Sequence, residues 1–376
     1  MAVAGLIFSN IHNSSMPELT SVRTMASVPY GCRYRLVDFP LSNMVNSGIT
    51  KIGIITHNNY QSLMDHIGTG KDWDLARRSG GIRILPPFIA SYNSANGGKL
   101  YTTRLEALMG VTSFISRCAE EYIVLSDCDG ICNIDLNQVL EDHIEKNADI
   151  TIVTRTVNEK RDVPSDGATE IISDENGFAT EVSAYIDHNR PAQISTNIMI
   201  ANRLFLLNAI NDASAHGYAH FYKDIIARRV KTLRINCYHY DGIYLQITSL
   251  ESYFRCSMQL LDPTVRNGLF HSDSPIYTKL RNSAPTVYAN GSSVTNSYIA
   301  DGCVIEGVVE NSVIFRGVHV GKGTVVKNSV LLQDTFMGHN VSLNCVITDK
   351  NVVIRNNRTL SGHESMPFFI SKGAMV

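Results

Sequence analysis

Through its first two-thirds the chain alternates short apolar runs with segments whose apolar residues recur every three or four positions. "KIGIITH" from Lys51 is followed by "YQSLMDHI", "EYIVLS" from Glu121 by "LNQVLEDHIEK", and a further apolar run, "DITIVTRTV", begins at Asp149. Such runs predict strands and the amphipathic segments predict helices packed on them, an α/β domain with a mostly parallel sheet. In these sheets the chemistry collects at the carboxyl ends of the strands. Gly5 to Ser9 reads as a buried strand, so the following loop, "SNIHNSS", stands where a nucleotide-binding fold places its phosphates. The loop contains no glycine.

Near Pro263 the pattern changes. The stretch 264–285, "TVRNGLFHSDSPIYTKLRNSAP", reads as a linker, and beyond it helical periodicity gives way to short turns. Apolar residues then recur at six-residue steps: Ile299 and Ile305, then Val320, Val326 and Leu332, then Met337 and Leu343. This is the hexapeptide pattern of a parallel β-helix, in which each apolar side chain enters a narrow core and Gly, Asn or Asp turns the corner. Antiparallel hairpins would alternate with period two instead. The expected division is an α/β domain over 1–263, a linker over 264–285 and a β-helix over 286–376.

Composition narrows the classes of partner. A chain of 376 residues with 44% hydrophobic and 18% charged residues is an ordinary globular balance for two domains. The formal charge of -2 gives no electrostatic case for nucleic acid or an anionic membrane. The eight cysteines include no CxxC pair and read as reduced core residues. No apolar run approaches the roughly 18 residues of a membrane helix, and "MAVAGLIFSN" lacks a basic leader, so a cytoplasmic location is expected. His57 and His66 are too far apart to share one helical metal face, and Trp73, in a polar segment, reads as a loop anchor.

The segment "VPYGCRYRLVDFPLSNMVNSGITKIGIITHNNYQSLMDHI" resembles the ADP-glucose pyrophosphorylase (glucose-1-phosphate adenylyltransferase) family. The likeness continues through "GIRILPPF", "GIYLQITSLESYFRCSMQLLD", "NSYIADGCVIEG" and "VITDKNVVI", nearly the whole chain. It implies a Rossmann-like nucleotidyltransferase domain followed by a left-handed parallel β-helix. It also exposes departures.

In that family a glycine-rich GGxGxRL loop wraps the triphosphate, since glycine lets backbone N–H groups approach phosphate oxygens closely and the arginine neutralises charge. Here Ser9 and Asn10 replace the glycine pair, and no arginine precedes Glu18. Met25 stands where the family carries a lysine, and Ala26 where it carries a proline. Nucleotidyl transfer also needs Mg²⁺ on carboxylates. Aligned on the flanking "GIY" and "LESY", Gln246 replaces one metal-binding aspartate; alignment on "NID" makes Asp129 the match for the other, with Asp127 beside it. The stretch matching the sugar-phosphate motif, "EVSAYIDHN", has no lysine or arginine.

Other matching positions are kept. Arg23, Arg35, His66, Asp349 and Lys350 fall where the family lines an anion-binding effector pocket between its domains, although Asp65 replaces a family arginine there. Arginine suits such a site because its fork of donors fits a phosphate. Ion pairing of Arg35 and Lys350 with carboxylates across the domain interface is the competing reading.

The resemblance therefore implies a non-catalytic, regulatory-type subunit, most like those of Gram-positive bacteria. It would need no cofactor of its own, Mg²⁺ belonging to a catalytic partner subunit, and would bind that partner in a hetero-oligomer, with a phosphorylated effector or inorganic phosphate as ligand. Alternatives are an active nucleotidyltransferase using Asp127 and Asp129 for its metal, a hexapeptide acyltransferase with His319 or His339 as base, and a ligand-free homo-oligomer.

Overall fold

The computed structural model describes residues 2–86, 101–158, 168–184, 186 and 190–376. Strand Val3–Phe8 lies between Lys51–Ile55 and Tyr122–Asp127, parallel to both, and Gly81–Leu85 extends the parallel set. The long strand Ala192–Asn202 runs antiparallel beside Tyr122–Asp127 and also pairs with Ile150–Val157, which carries Ile235–His239 at the edge. The sheet is parallel through its centre and mixed at one side. The helix Leu136–Glu145, capped by Asp135, buries one stripe of residues, Leu136, Val139, Leu140 and His143. That spacing places them on one face.

Phe8 sits in register with both Ile55 and Asp127. The carboxyl ends of three strands are therefore level, and the segments beginning at Ser9, Thr56 and Cys128 leave the sheet side by side.

The stretch 264–285 is not a free linker. It is entered by a helix, Pro263–Leu269, in which Asp262 accepts a hydrogen bond from the Thr264 N–H and proline occupies the first turn. "DPT" is an N-terminal helix signal. Beyond the helix, Ile276 and Thr278 are buried, and the Tyr277 N–H donates to Ser42 Oγ at 2.9 Å. The connection is a packed strap along the sheet domain.

Three five-stranded parallel sheets form the prism of the β-helix. Val304 pairs with His319, His319 with Phe336 and Phe336 with Val353, so successive coils advance by 15, 17 and 17 residues. The shortfall from three hexapeptides moves one inward position: Leu331, not Leu332, joins the prism core with Ile305, Val320, Val326, Met337 and Leu343. Leu332 instead packs outward against the sheet domain with Val313, Val330 and Ile347. Asn296, Asn311 and Asn328 turn successive corners at φ 42°, 44° and 45°. Asparagine tolerates this left-handed backbone and ties neighbouring coils, Asn296 Nδ2 donating to Asn311 Oδ1 at 2.8 Å.

The three outer faces differ. One, carrying Val313, Val330 and Ile347, is fused to the sheet domain in a common core with Tyr253 and Leu41. A second carries exposed polar groups, with Glu310 and Lys327 paired at 2.9 Å. The third presents Val287, Val304, His319, Phe336 and Val353 in cross-strand register, a row apolar except for His319 in which Phe336 is 46% exposed.

All eight cysteines are buried free thiols. Among the described residues, no helix is long and apolar enough to cross a membrane.

Candidate functional site

The loop after the first strand is filled by its own side chains. Asn10 Oδ1 accepts from the Thr56 hydroxyl and the His57 N–H, each at 3.0 Å, and lies 2.5 Å from Ser9 Oγ, which is also 2.9 Å from the Ile55 carbonyl. Asn10 Nδ2 donates to the Asn58 carbonyl, and Asn13 Oδ1 accepts from the Met25 N–H at 2.8 Å. These bonds satisfy backbone and side-chain groups that a glycine loop leaves open for phosphate oxygens. Met25 is 1% exposed, a core residue rather than a side chain facing a ligand.

Beneath the loop, His12, Asp127 and Asp129 each bring a potential ligand atom within 4.8 Å of the others, the only such group of three among the described residues. His12 Nε2 lies 2.7 Å from Asp127 Oδ2 and 3.7 Å from Asp129 Oδ1. Arg104, at the start of a helix that Thr103 and Glu106 close with a reciprocal capping box, donates from Nε to Asp127 Oδ1 at 3.3 Å and from Nη2 to Asp127 Oδ2. Its guanidinium rests against the Phe8 and Tyr222 rings, 5.7 Å from each centroid.

The electrostatics follow from this packing. Burial disfavours charge on all four groups. For His12 the nearby Asp129 and Asp127 outweigh it and push the imidazole up to about 9. Arg104 and His12 hold Asp127 below the usual carboxylate range, whereas burial and the Asp127 charge raise Asp129.

Gln246 meets this cluster from the strand Tyr244–Gln246, which pairs with Gly130–Cys132. Its Nε2 donates to Asp129 Oδ2 at 3.0 Å, while Asp129 Oδ1 and Gln246 Oε1 are buried without hydrogen-bond partners. Gly130 is required here: a Cβ would overlap the Tyr244 hydroxyl, which donates to the Thr196 carbonyl at 2.9 Å.

A Mg²⁺ ion of the nucleotidyl-transfer type does not fit these residues. It needs near-octahedral oxygen ligands at about 2.0–2.1 Å. Here both Asp127 oxygens are taken, the second carboxylate position is an amide, and that amide donates to the one remaining aspartate. A cleft of about 480 Å³ opens beside the cluster, lined by His12, Arg104, Asn197, His220, Tyr222 and Lys223. Val182, Ser183 and Ala184 of "EVSAYIDHN" line it too; 185 and 187–189 lie outside the described residues.

The second group of predicted residues meets at the domain junction, in two parts. Arg23 Nη2 lies 2.9 Å from both oxygens of Asp349, so this pair is a buried bridge between the sheet domain and the β-helix. Arg35, His66 and Lys350 instead line a narrow cleft of about 40 Å³. Arg35 Nη1 donates to the Ser62 carbonyl and hydroxyl, the latter at 2.8 Å, and His66 Nε2 lies 2.6 Å from Asp38 Oδ1. Burial lowers His66, incompletely offset by Asp38. Burial and the charges of Arg35, Arg23 and Arg281 push Lys350 down to about 7.

Sequence reasoning missed four more cations on this cleft: Arg33, Lys279, Arg281 and Arg316. Arg316 pairs with Asp301 at 3.0 Å, and Lys279 Nζ donates to the Asp65 carbonyl. Lys279 thus brings a cation beside the position where Asp65 replaces the family arginine. Two of the four lie on the strap that the sequence presented as a polar linker.

The other candidates are accounted for structurally. Trp73 is buried in a short turn against His66, ring centroids 5.6 Å apart. His319 stacks on Phe336 at 4.8 Å, and His339 is exposed, its N–H donating to Asn356 Oδ1.

A Rossmann-like sheet with its ligand loops at the carboxyl edge, joined to a hexapeptide prism, defines a nucleotidyltransferase-type chain. Residues 15–175 match the nucleotidyl transferase family model and residues 284–365 the GlmU-like C-terminal hexapeptide model, so the prism is a left-handed β-helix. The chain is 33% identical over 371 residues to the glycogen biosynthesis protein GlgD of Bacillus subtilis, covering 98% of this chain and 95% of that one. It is 35% identical over 322 residues to GlgD of Geobacillus stearothermophilus, covering 86% and 82%. It is 32% identical over 341 residues to the glucose-1-phosphate adenylyltransferase of Clostridium perfringens strain SM101, covering 89% and 85%. The chain belongs to the glucose-1-phosphate adenylyltransferase (ADP-glucose pyrophosphorylase) family.

Proposed function

We propose that this chain is a catalytically degenerate, regulatory subunit that assembles in the cytoplasm with a catalytic glucose-1-phosphate adenylyltransferase and raises its activity in glycogen biosynthesis. The observation that carries the reading is Gln246: its amide donates to Asp129 where in-line transfer needs a second carboxylate. The side-chain-filled loop from Ser9 to Asn13 supports it, because phosphate oxygens would have to displace those hydrogen bonds. The chain needs no cofactor; Mg²⁺ serves the partner.

The largely apolar row of Val287, Val304, His319, Phe336 and Val353 is the surface we assign to the catalytic subunit, since the other two faces are polar or already covered. Activation requires only that this chain bind the partner's active state more tightly than its inactive one. The cationic junction cleft is assigned to a phosphorylated effector or inorganic phosphate, which Arg35, Lys279, Arg281 and Lys350 would hold by charge-assisted hydrogen bonds. Co-expression with a catalytic adenylyltransferase from the same organism tests the assembly. A complex of defined size on size-exclusion chromatography is expected; two independent peaks at all concentrations would sink the proposal.

A further inference from the structure

We propose that His12 and Arg104 together replace the divalent cation, forming an ionic latch with Asp127 and Asp129 that holds the loop after the first strand closed over the sheet edge. The inference rests on the non-catalytic reading above and adds to it a physical device: the metal position is filled by side chains of the chain itself.

Four carboxylate oxygens face this point, and three are committed. Asp127 Oδ1 accepts from Arg104 Nε, and Asp127 Oδ2 is shared between Arg104 Nη2 and His12 Nε2. Asp129 Oδ2 accepts from Gln246, leaving only Asp129 Oδ1, with His12 Nε2 3.7 Å away. Asp127 Oδ2 already accepts from both the guanidinium and the imidazole, so a hexacoordinate ion could gain it only by expelling one of them. The guanidinium is held from behind by Phe8 and Tyr222, and it projects from a capped helix, so it is not a mobile surface group.

The latch also accounts for the composition of the loop. His12 is its one residue that reaches down to the aspartates, while Ser9, Asn10 and Asn13 bond upward and sideways to Ile55, Thr56, His57 and Met25. A glycine loop has no side chains with which to do either. The residues that replaced the glycines therefore supply both the cover and its fastening, and the arginine fixes the carboxylate to which it is fastened.

The test uses Mn²⁺ as probe, with electron paramagnetic resonance to count bound ions and thermal unfolding in Mg²⁺ or EDTA as a second readout. The wild-type chain should show no saturable Mn²⁺ site and no metal-dependent shift in unfolding temperature. His12→Ala combined with Gln246→Asp frees one side of Asp127 and adds the missing carboxylate, and should bind Mn²⁺ at least about tenfold more tightly than wild type. Adding Asp129→Asn should remove that gain. Gln246→Asp alone, with His12 in place, should gain little, and hydrogen exchange of residues 9–15 should quicken in His12→Ala alone. One Mn²⁺ per wild-type chain, lost on Asp129→Asn, would overturn the latch, as would a folded His12→Ala/Gln246→Asp chain that binds no ion. Wild-type turnover of ATP and glucose-1-phosphate would instead overturn the non-catalytic reading; metal bound without turnover overturns the latch alone.

Discussion

Replacing Arg23 with leucine asks what joins the two domains. Arg23 is 2% exposed and Asp349 1%, and one guanidinium nitrogen reaches both carboxylate oxygens at 2.9 Å across 326 residues of sequence. Apart from Arg23, the Asp349 carboxylate accepts from the Lys350 N–H at 2.7 Å, so Arg23→Leu strands a buried charge in the junction core. Breaking a buried pair from one side costs about 3–5 kcal/mol. Replacing both partners with leucine removes the uncompensated charge, so the double variant should lose much less than the two single losses added. Urea unfolding of the four proteins, read by intrinsic fluorescence and by protease cleavage at the strap 264–285, measures the cycle. A loss below about 1 kcal/mol for Arg23→Leu, or single losses that simply add, would refute the reasoning and leave Arg23 free to act as an anion ligand.

Further outcomes follow from the same geometry. Because the Lys350 pKa is lowered in the folded chain to about 7, the unfolded chain binds more protons between there and the ordinary lysine range. Stability should therefore rise with pH across that window, and the penalty should be complete below it. A bound anion restores the proton, so sulfate affinity by calorimetry should fall with rising pH above 7, by up to about tenfold per unit. Lys350→Met should flatten that dependence, and a wild-type affinity independent of pH would contradict it. Phe336→Glu, at a position 46% exposed, should leave unfolding unchanged but abolish co-purification with the catalytic subunit. Gly130→Ala, which drives a methyl into the Tyr244 hydroxyl, should destabilise by about 1–3 kcal/mol; an unaltered unfolding midpoint would show that the strand pair yields.

The architecture was legible where sequence period reports burial directly. Ile305, Val320, Val326, Met337 and Leu343 show the prism because inward positions six residues apart recur along it, Val320 with Val326 and Met337 with Leu343. Leu332 misled because one corner is a residue short, which turns Leu331 inward. Gln246 was legible through its flanks, and its consequence, an amide donating to Asp129, needed only the chemistry of the side chain. Arg104 was not legible: it lies 23 residues before Asp127, and only the packing of its helix over the strand ends brings the two together. Lys279 and Arg281 looked like solvated linker charges, since nothing in a polar, proline-containing stretch says on which surface it is packed. The split between Arg23, spent on Asp349, and Arg35, left on the cleft, is likewise a fact of three dimensions.

The most direct measurement is ADP-glucose formation from ATP and glucose-1-phosphate with Mg²⁺, comparing this chain alone, a catalytic adenylyltransferase alone, and the co-purified pair. The account predicts no turnover by this chain and a faster rate for the pair than for the catalytic subunit. Turnover by this chain alone, lost on Asp129→Asn, would contradict it.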